Sequence, residues 1–110
     1  MMKKIISLFL FTFYSMHLYA GSAGSGVLYN FHFMNNGVVI VYTTGTRTGV
    51  PSCATNQPLR FAVDATTAGG KVQLSGLLSA HAAQKPVVIT GRGQCDAYGD
   101  TETISYFYIP

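Results

Sequence analysis

The chain opens Met1-Met2-Lys3-Lys4, continues as an apolar run from Ile5, and closes that run at Leu18-Tyr19-Ala20. A basic start, a short apolar stretch and a small residue at its end describe a secretory signal peptide. The run is too short to span a bilayer, and Tyr14, Ser15 and His17 interrupt it before Gly21. The expectation is an export segment at residues 1–20 and a mature protein that is secreted or periplasmic, with no membrane span once the segment is removed. Cleavage after Ala20 leaves Leu18 where a small residue is preferred, whereas cleavage after Ala23 puts Gly21 there, so both sites stay open. No cysteine follows either point to accept a lipid.

Export changes how the remaining residues are read. Lys3 and Lys4 leave with the segment, so Arg47, Arg60, Lys71, Lys85 and Arg92 stand against Asp64, Asp96, Asp100 and Glu102, a net charge of +1. Without a basic cluster there is no electrostatic footprint for nucleic acid. A domain this small buries a modest share of its surface and commonly needs a staple. Cys53 and Cys95 supply one, because an even pair in an oxidising compartment reads as a disulfide. Closing a loop of that length is worth roughly 4 kcal/mol on the chain-entropy model. Two cysteines 42 positions apart, with only His32 and His81 beside them in the mature chain, make a poor zinc set.

Residues 21–26 (GSAGSG) read as a flexible leader, and residues 27–110 as one domain. Val27, Tyr29, Phe31 and Phe33 alternate with Leu28, Asn30, His32 and Met34, a strand with one aromatic face. Asn35-Asn36-Gly37 is a turn, and the β-branched run Val38 to Thr44 completes a hairpin. Residues 45–58 read as loop. Leu59 to Asp64 is a third strand with Leu59, Phe61 and Val63 inward. Thr66 to Gly70 turns the chain. Lys71 to Gln84 then changes period, with Leu74, Leu77, Leu78 and His81 on one helical stripe. Gly76 inside that helix points to close packing or a kink, and Pro86 ends it. Val87 to Thr90 is a fourth strand. Thr101 to Ile109 is the last, with Ile104, Tyr106 and Tyr108 on one face and Thr103, Ser105, Phe107 and Ile109 on the other. The expected fold is a small β-rich α+β domain: a five-stranded OB-like barrel with one helix between the third and fourth strands.

No catalytic constellation emerges. Nucleophilic catalysis needs a nucleophile, a base and an orienting group. The imidazoles His32 and His81 lie on a strand and on the helix stripe, and packed roles account for them. Asp96, Asp100 and Glu102 share one turn, which fits turn chemistry and solvation better than two sides of a cleft. Gly91-Arg92-Gly93 lacks the spacing and the Lys of a phosphate loop. No cofactor is implied. The remaining pattern is Tyr98 between Asp96 and Asp100, an aromatic flanked by carboxylates, which is a sugar-contact arrangement. The alternative is that Tyr98 only covers the disulfide.

From Cys53 onward the chain resembles a group of short secreted bacterial proteins of uncharacterised function. The motifs are Cys53, Leu77-Leu78-Ser79-Ala80, Lys85-Pro86-Val87-Val88-Ile89, Gly91-Arg92-Gly93-Gln94-Cys95 and Asp100-Thr101-Glu102-Thr103-Ile104. In layout, size, signal and disulfide it also resembles the OB-fold B subunits of subtilase-cytotoxin and pertussis-like AB5 toxins. That resemblance implies a ring-forming homo-oligomer, a pentamer, that binds a host glycan or receptor beside a secreted toxin A subunit. It carries over no glycan-contact residue. The leading expectation is thus a secreted, non-enzymatic binding module that self-associates. The second is a monomeric periplasmic protein that binds or inhibits a protein partner through an open strand edge. The third is a small hydrolase using His32 or His81.

Overall fold

The structure, a computed structural model, describes residues 20–110. The export segment expected at residues 1–20 lies, Ala20 apart, outside the described residues. Seven strands and one α-helix follow in the order β1 (Ser22–Gly26), β2 (Leu28–Phe33), β3 (Val38–Thr43), β4 (Arg47–Thr48), β5 (Arg60–Asp64), α1 (Ala68–Ala82), β6 (Val87–Gly91) and β7 (Glu102–Tyr108). They form one mixed sheet, ordered β2-β3-β5-β7-β6-β1-β4, with β2 and β4 outermost. All pairs are antiparallel except β5 with β7, which runs parallel through Phe61↔Glu102 and Ala62↔Thr103. The small β-rich α+β class expected from the sequence is present, with one helix between the third-strand segment and its successor. The sheet is not closed, and it has seven strands where the sequence pattern gave five.

The two added strands correct the sequence reading. Residues 21–26 are not a free leader: β1 pairs with β6 through Ser22↔Thr90 and Ala23↔Ile89, and Ala23 is fully buried. β4, inside the expected loop, pairs with β1 through Ser22↔Thr48 and Ala23↔Arg47. Ser, Ala, Gly and Arg carry no period-two apolar signal, so pairing here is set by tertiary partners.

The β2–β3 hairpin forms as its composition dictates. Gly37 turns with φ +88°, and the Asn36 carboxamide accepts from the Val38 amide at 3.1 Å. Val38 to Val41 are all buried because β3 has cover on both faces. Val41, Phe61 and Val63 join Leu77, Ala80, Val87, Ile89 and Ile104 in the main core under the helix. Val38, Ile40 and Ala62 form a second cluster on the other face, covered by Met34, Tyr42, Ala97 and Tyr98.

Two bulges shift the expected faces. The β2–β3 register slips between Tyr29 and His32, where Asn30 takes φ +61°. Leu28 and Phe31 therefore meet the core, while Tyr29 and Phe33 face outward, Phe33 63% exposed. The β6–β7 register slips between Thr90 and Gly91, so Ile104 and Phe107 share the core side and Tyr106, Tyr108 and Ile109 are exposed. Leu59 precedes β5 and is exposed rather than inward.

The helix begins before Lys71. Thr67 caps it, accepting from the Gly70 amide at 2.9 Å and donating to the Asp64 carbonyl at 3.0 Å. A side chain on Gly70 would collide with that same carbonyl, so the glycines that look like a turn are the first helical turn. Gly76 does pack closely: a Cβ there would sit 2.9 Å from the Phe107 ring. Leu77 and Ala80 are buried, whereas Leu78 is exposed. The helix ends before Pro86 in a Schellman arrangement, with the Lys85 amide on the Ala80 carbonyl at 2.9 Å and Gln84 at φ +54°. No described helix is long and apolar enough to cross a membrane.

Cys53 and Cys95 are bonded, joining the short 3-10 turn Ser52–Ala54 to the β6–β7 connection. The other cross-brace is buried and ionic. Glu102 is fully buried; its Oε1 meets Arg47 Nη2, and its Oε2 accepts from the Gly21 amide at 2.9 Å and the Gly93 amide at 2.8 Å. Glu102 is thus a core anchor, not a solvated turn carboxylate. Arg47 also donates to the carbonyls of Ser22 and Pro58 and lies over the Phe61 ring at 4.2 Å. Burial, opposed by Glu102, leaves the Arg47 guanidinium with a lowered pKa.

Arg47→Ala is expected to cost about 3–5 kcal/mol in urea unfolding, because it strands a buried carboxylate. Reducing the disulfide is expected to cost about 4 kcal/mol by the same measurement, the loop-closure value for this spacing.

Candidate functional site

Beside the helix N-terminus lies an open cleft of about 350 Å³, lined by Asp64, Thr67, Gly69, Gly70, Gln73, Arg92, Asp96, Ala97, Thr103, Ile104 and Ser105. Three elements build it. β5 ends at Asp64, whose Oδ1 accepts from the Thr66 amide at 3.0 Å and the Thr66 hydroxyl at 2.6 Å. That hydroxyl, then the amide, holds the Asp64 carboxyl below its usual pKa. The helix contributes Gln73, whose amide donates to the Ser105 carbonyl at 2.9 Å and so bridges to β7.

The third side is the β6–β7 connection, tied to β7 by Thr103. The Thr103 hydroxyl donates to Asp96 Oδ1 at 2.6 Å and accepts from the Ala97 amide at 3.1 Å. Arg92 reaches Asp96 Oδ2 at 3.3 Å. The Thr103 hydroxyl is the main reason the Asp96 carboxyl sits below its usual pKa, with burial opposing and Arg92 assisting. Both ends of the Arg92–Asp96 pair are about half exposed, so the pair itself adds little stability.

The three residues singled out in the sequence do not converge. Asp96 opens onto the cleft. Tyr98 and Asp100 belong to a separate cluster around Arg60. Arg60 donates to Asp100 Oδ1 at 2.9 Å, to Thr101 Oγ1 at 2.9 Å and to the Tyr42 hydroxyl at 3.4 Å, with its guanidinium 6.0 Å from the Tyr98 ring centre. Burial of Arg60 works against its charge, but the bonds to Tyr42 and Asp100 outweigh it and raise the guanidinium pKa. The Thr101 hydroxyl, then Arg60, lowers the Asp100 carboxyl. Tyr98 lies half-buried against the second hydrophobic cluster, bridged to Thr101.

The acids of the 96–102 segment thus take the three arginines of the chain one each: Asp96 with Arg92, Asp100 with Arg60, Glu102 with Arg47. Sequence reasoning missed Asp64, Gln73 and Arg92 as cleft residues. Neither histidine lines the cleft: His81 Nδ1 sits 3.1 Å from the Leu28 carbonyl and packs on Phe31, and His32 lies beside Tyr42. Among the described residues, no three of His, Cys, Asp and Glu are grouped to hold a metal.

No family model, curated protein or solved structure matches the chain.

Thr103→Val is expected to move the Asp96 pKa up toward its ordinary value in an NMR titration of the carboxyl carbon. Because the folded Asp96 pKa is depressed, its contribution to stability is present above the unfolded value near 4 and is lost as pH falls through the folded value. The variant should therefore show a shallower acid-side loss of stability than the parent.

Proposed function

We propose that the protein is an exported, non-enzymatic binding module whose cleft takes a hydroxyl-rich ligand, a glycan or glycosylated receptor. The observation that carries this is the mixed lining of the cleft: carboxylates at Asp64 and Asp96 accept hydroxyl protons, while Gln73, Arg92, Thr67 and Thr103 offer amide, guanidinium and hydroxyl groups. The disulfide fits an oxidising compartment. Self-association is part of the proposal, through the exposed Tyr106, Tyr108 and Ile109 at the end of β7.

The proposed likeness to toxin B subunits rests on an OB-like reading of the fold. Val27 alone separates β1 from β2, and residues 44–46 separate β3 from β4, with Thr44 bonded to Val27 and Gly24 to Thr46. Counting each couple as one bent strand, the pairing runs first-second-third-fifth-fourth-first, with the third and fifth parallel and the helix between third and fourth. That order supports an OB-like reading of a sheet that stays open between β2 and β4.

A second reading has its own observation. β2 is an outermost strand and carries exposed Tyr29 and Phe33. An extended segment of a protein partner would add to that edge, as a monomeric periplasmic binder or inhibitor would use it.

Light scattering on the oxidised mature protein, followed by a glycan array, tests the first reading. It is expected to give an oligomer with array binding that Asp96→Asn and Gln73→Ala each weaken by about tenfold, the worth of one lost hydrogen bond to a charged or bridging group. A monomer with no array signal sinks it, and a pull-down from the cell envelope then tests the β2 edge.

A further inference from the structure

We propose that the chain is cut between Ala20 and Gly21, and that the α-amino group released at Gly21 is held on the Glu102 carboxylate inside the folded domain. The inference rests on the export reading above and adds the site and the fate of the new terminus. Hydrolysis adds water across the Ala20–Gly21 amide: its C–N bond breaks, Ala20 leaves with the carboxylate, and Gly21 keeps the nitrogen as an amine. The catalyst is a peptidase of the export machinery.

The geometry distinguishes the two cleavage sites that the sequence leaves open. Ala20 is exposed and Gly21 is buried, so among the described residues burial begins at Gly21. Gly21 N stands 2.9 Å from Glu102 Oε2, and Gly21 O accepts from the Gly91 amide at 2.7 Å. A cut after Ala23 would remove both contacts. It would also remove the fully buried Ala23, the pairing of Ser22 and Ala23 with β4 and β6, and the Ser22 carbonyl that Arg47 bonds. A cut after Ala20 removes none of these.

The seat is shaped for that terminus. A Cβ on residue 21 would lie 2.5 Å from Glu102 Oε1, 2.6 Å from Arg47 Nη2 and 2.9 Å from the Gly49 carbonyl, so a side chain there would force the ion pair or the backbone to shift. Glu102 presents its two oxygens separately, Oε1 to Arg47 and Oε2 to Gly21 and Gly93. An α-amine, with an ordinary pKa of about 7.7–8.0, is protonated at neutral pH and brings a cation to Oε2 where an amide brings a dipole.

The test uses the full chain exported with its own leader. Intact mass of the released product is expected to place Gly21 at the N-terminus. An amine-reactive acyl ester at pH 7 is then applied to the folded protein and to the same protein in urea, with exposed Lys71 and Lys85 as internal references. The Gly21 amine is expected to react about tenfold or more slowly when folded, because the fold buries it against Glu102, whereas in urea it is open to the reagent. Glu102→Gln should raise its folded rate; the wild-type measurements stand even where that variant does not fold. A product beginning at Gly24 overturns the inference while leaving export intact. An uncut chain overturns both. A Gly21 amine that acylates equally fast folded and unfolded overturns the seat on Glu102.

Discussion

The sheet depends on one buried carboxylate. Glu102 opens β7, and its oxygens collect donors from the segment before β1, from β4 and from the β6–β7 connection. A buried carboxylate with an unsatisfied lone pair costs several kcal/mol, so this arrangement is stable only when all its donors are in place together. Arg47 extends the linkage to the Ser22 and Pro58 carbonyls and to the Phe61 ring. A planar fork with five donors does this; an ammonium would not. The two-residue strand β4 is held by its pairing with β1 and by its arginine, which ties it to the core.

The same segment that supplies the anchor supplies the cleft. Glu102 is fully buried, whereas Asp100 and Asp96 are each about half exposed, and each of the three faces its own arginine. The buried pair fixes geometry. The Arg92–Asp96 pair, screened by water, adds little stability of its own. Asp96 is nevertheless not mobile in direction, because Thr103 on β7 bonds both the carboxylate and the Ala97 amide. A rigid strand thus positions a solvent-facing acceptor, the usual division of labour between scaffold and site.

Most of the regular elements were legible in the sequence. The β2–β3 hairpin, β5, the helix, β6, β7 and the disulfide each carry a local signal: β-branched runs, Asn-Gly turn chemistry, a period near 3.6, a paired cysteine count. β1 and β4 carry none, because Ser, Ala, Gly, Arg and Thr gain their strand conformation only from what they pair with. The bulges at Asn30 and near Ser105 inverted the expected faces, since one extra residue reverses the alternation downstream. Of the cleft, only Asp96 was foreseen. Asp64, Gln73 and Arg92 come from a strand end, a helix and a loop, and no spacing along the chain brings them together. The burial of Glu102 was equally hidden, because a carboxylate beside Asp100 and Tyr98 has the local appearance of a turn.

β1 is the earliest of the described strands to be synthesised, yet part of its pairing comes from far along the chain. Its partners in β6 and the carboxylate of Glu102 lie near the other end of the chain, so the sheet cannot be completed until almost the whole domain is available. Ser22-Ala23-Gly24-Ser25-Gly26 is suited to that wait. It carries no large apolar side chain and little intrinsic strand preference, so while unpaired it offers neighbouring chains almost nothing to adhere to. The composition that hides β1 from a reader of the sequence also leaves that segment little through which to aggregate.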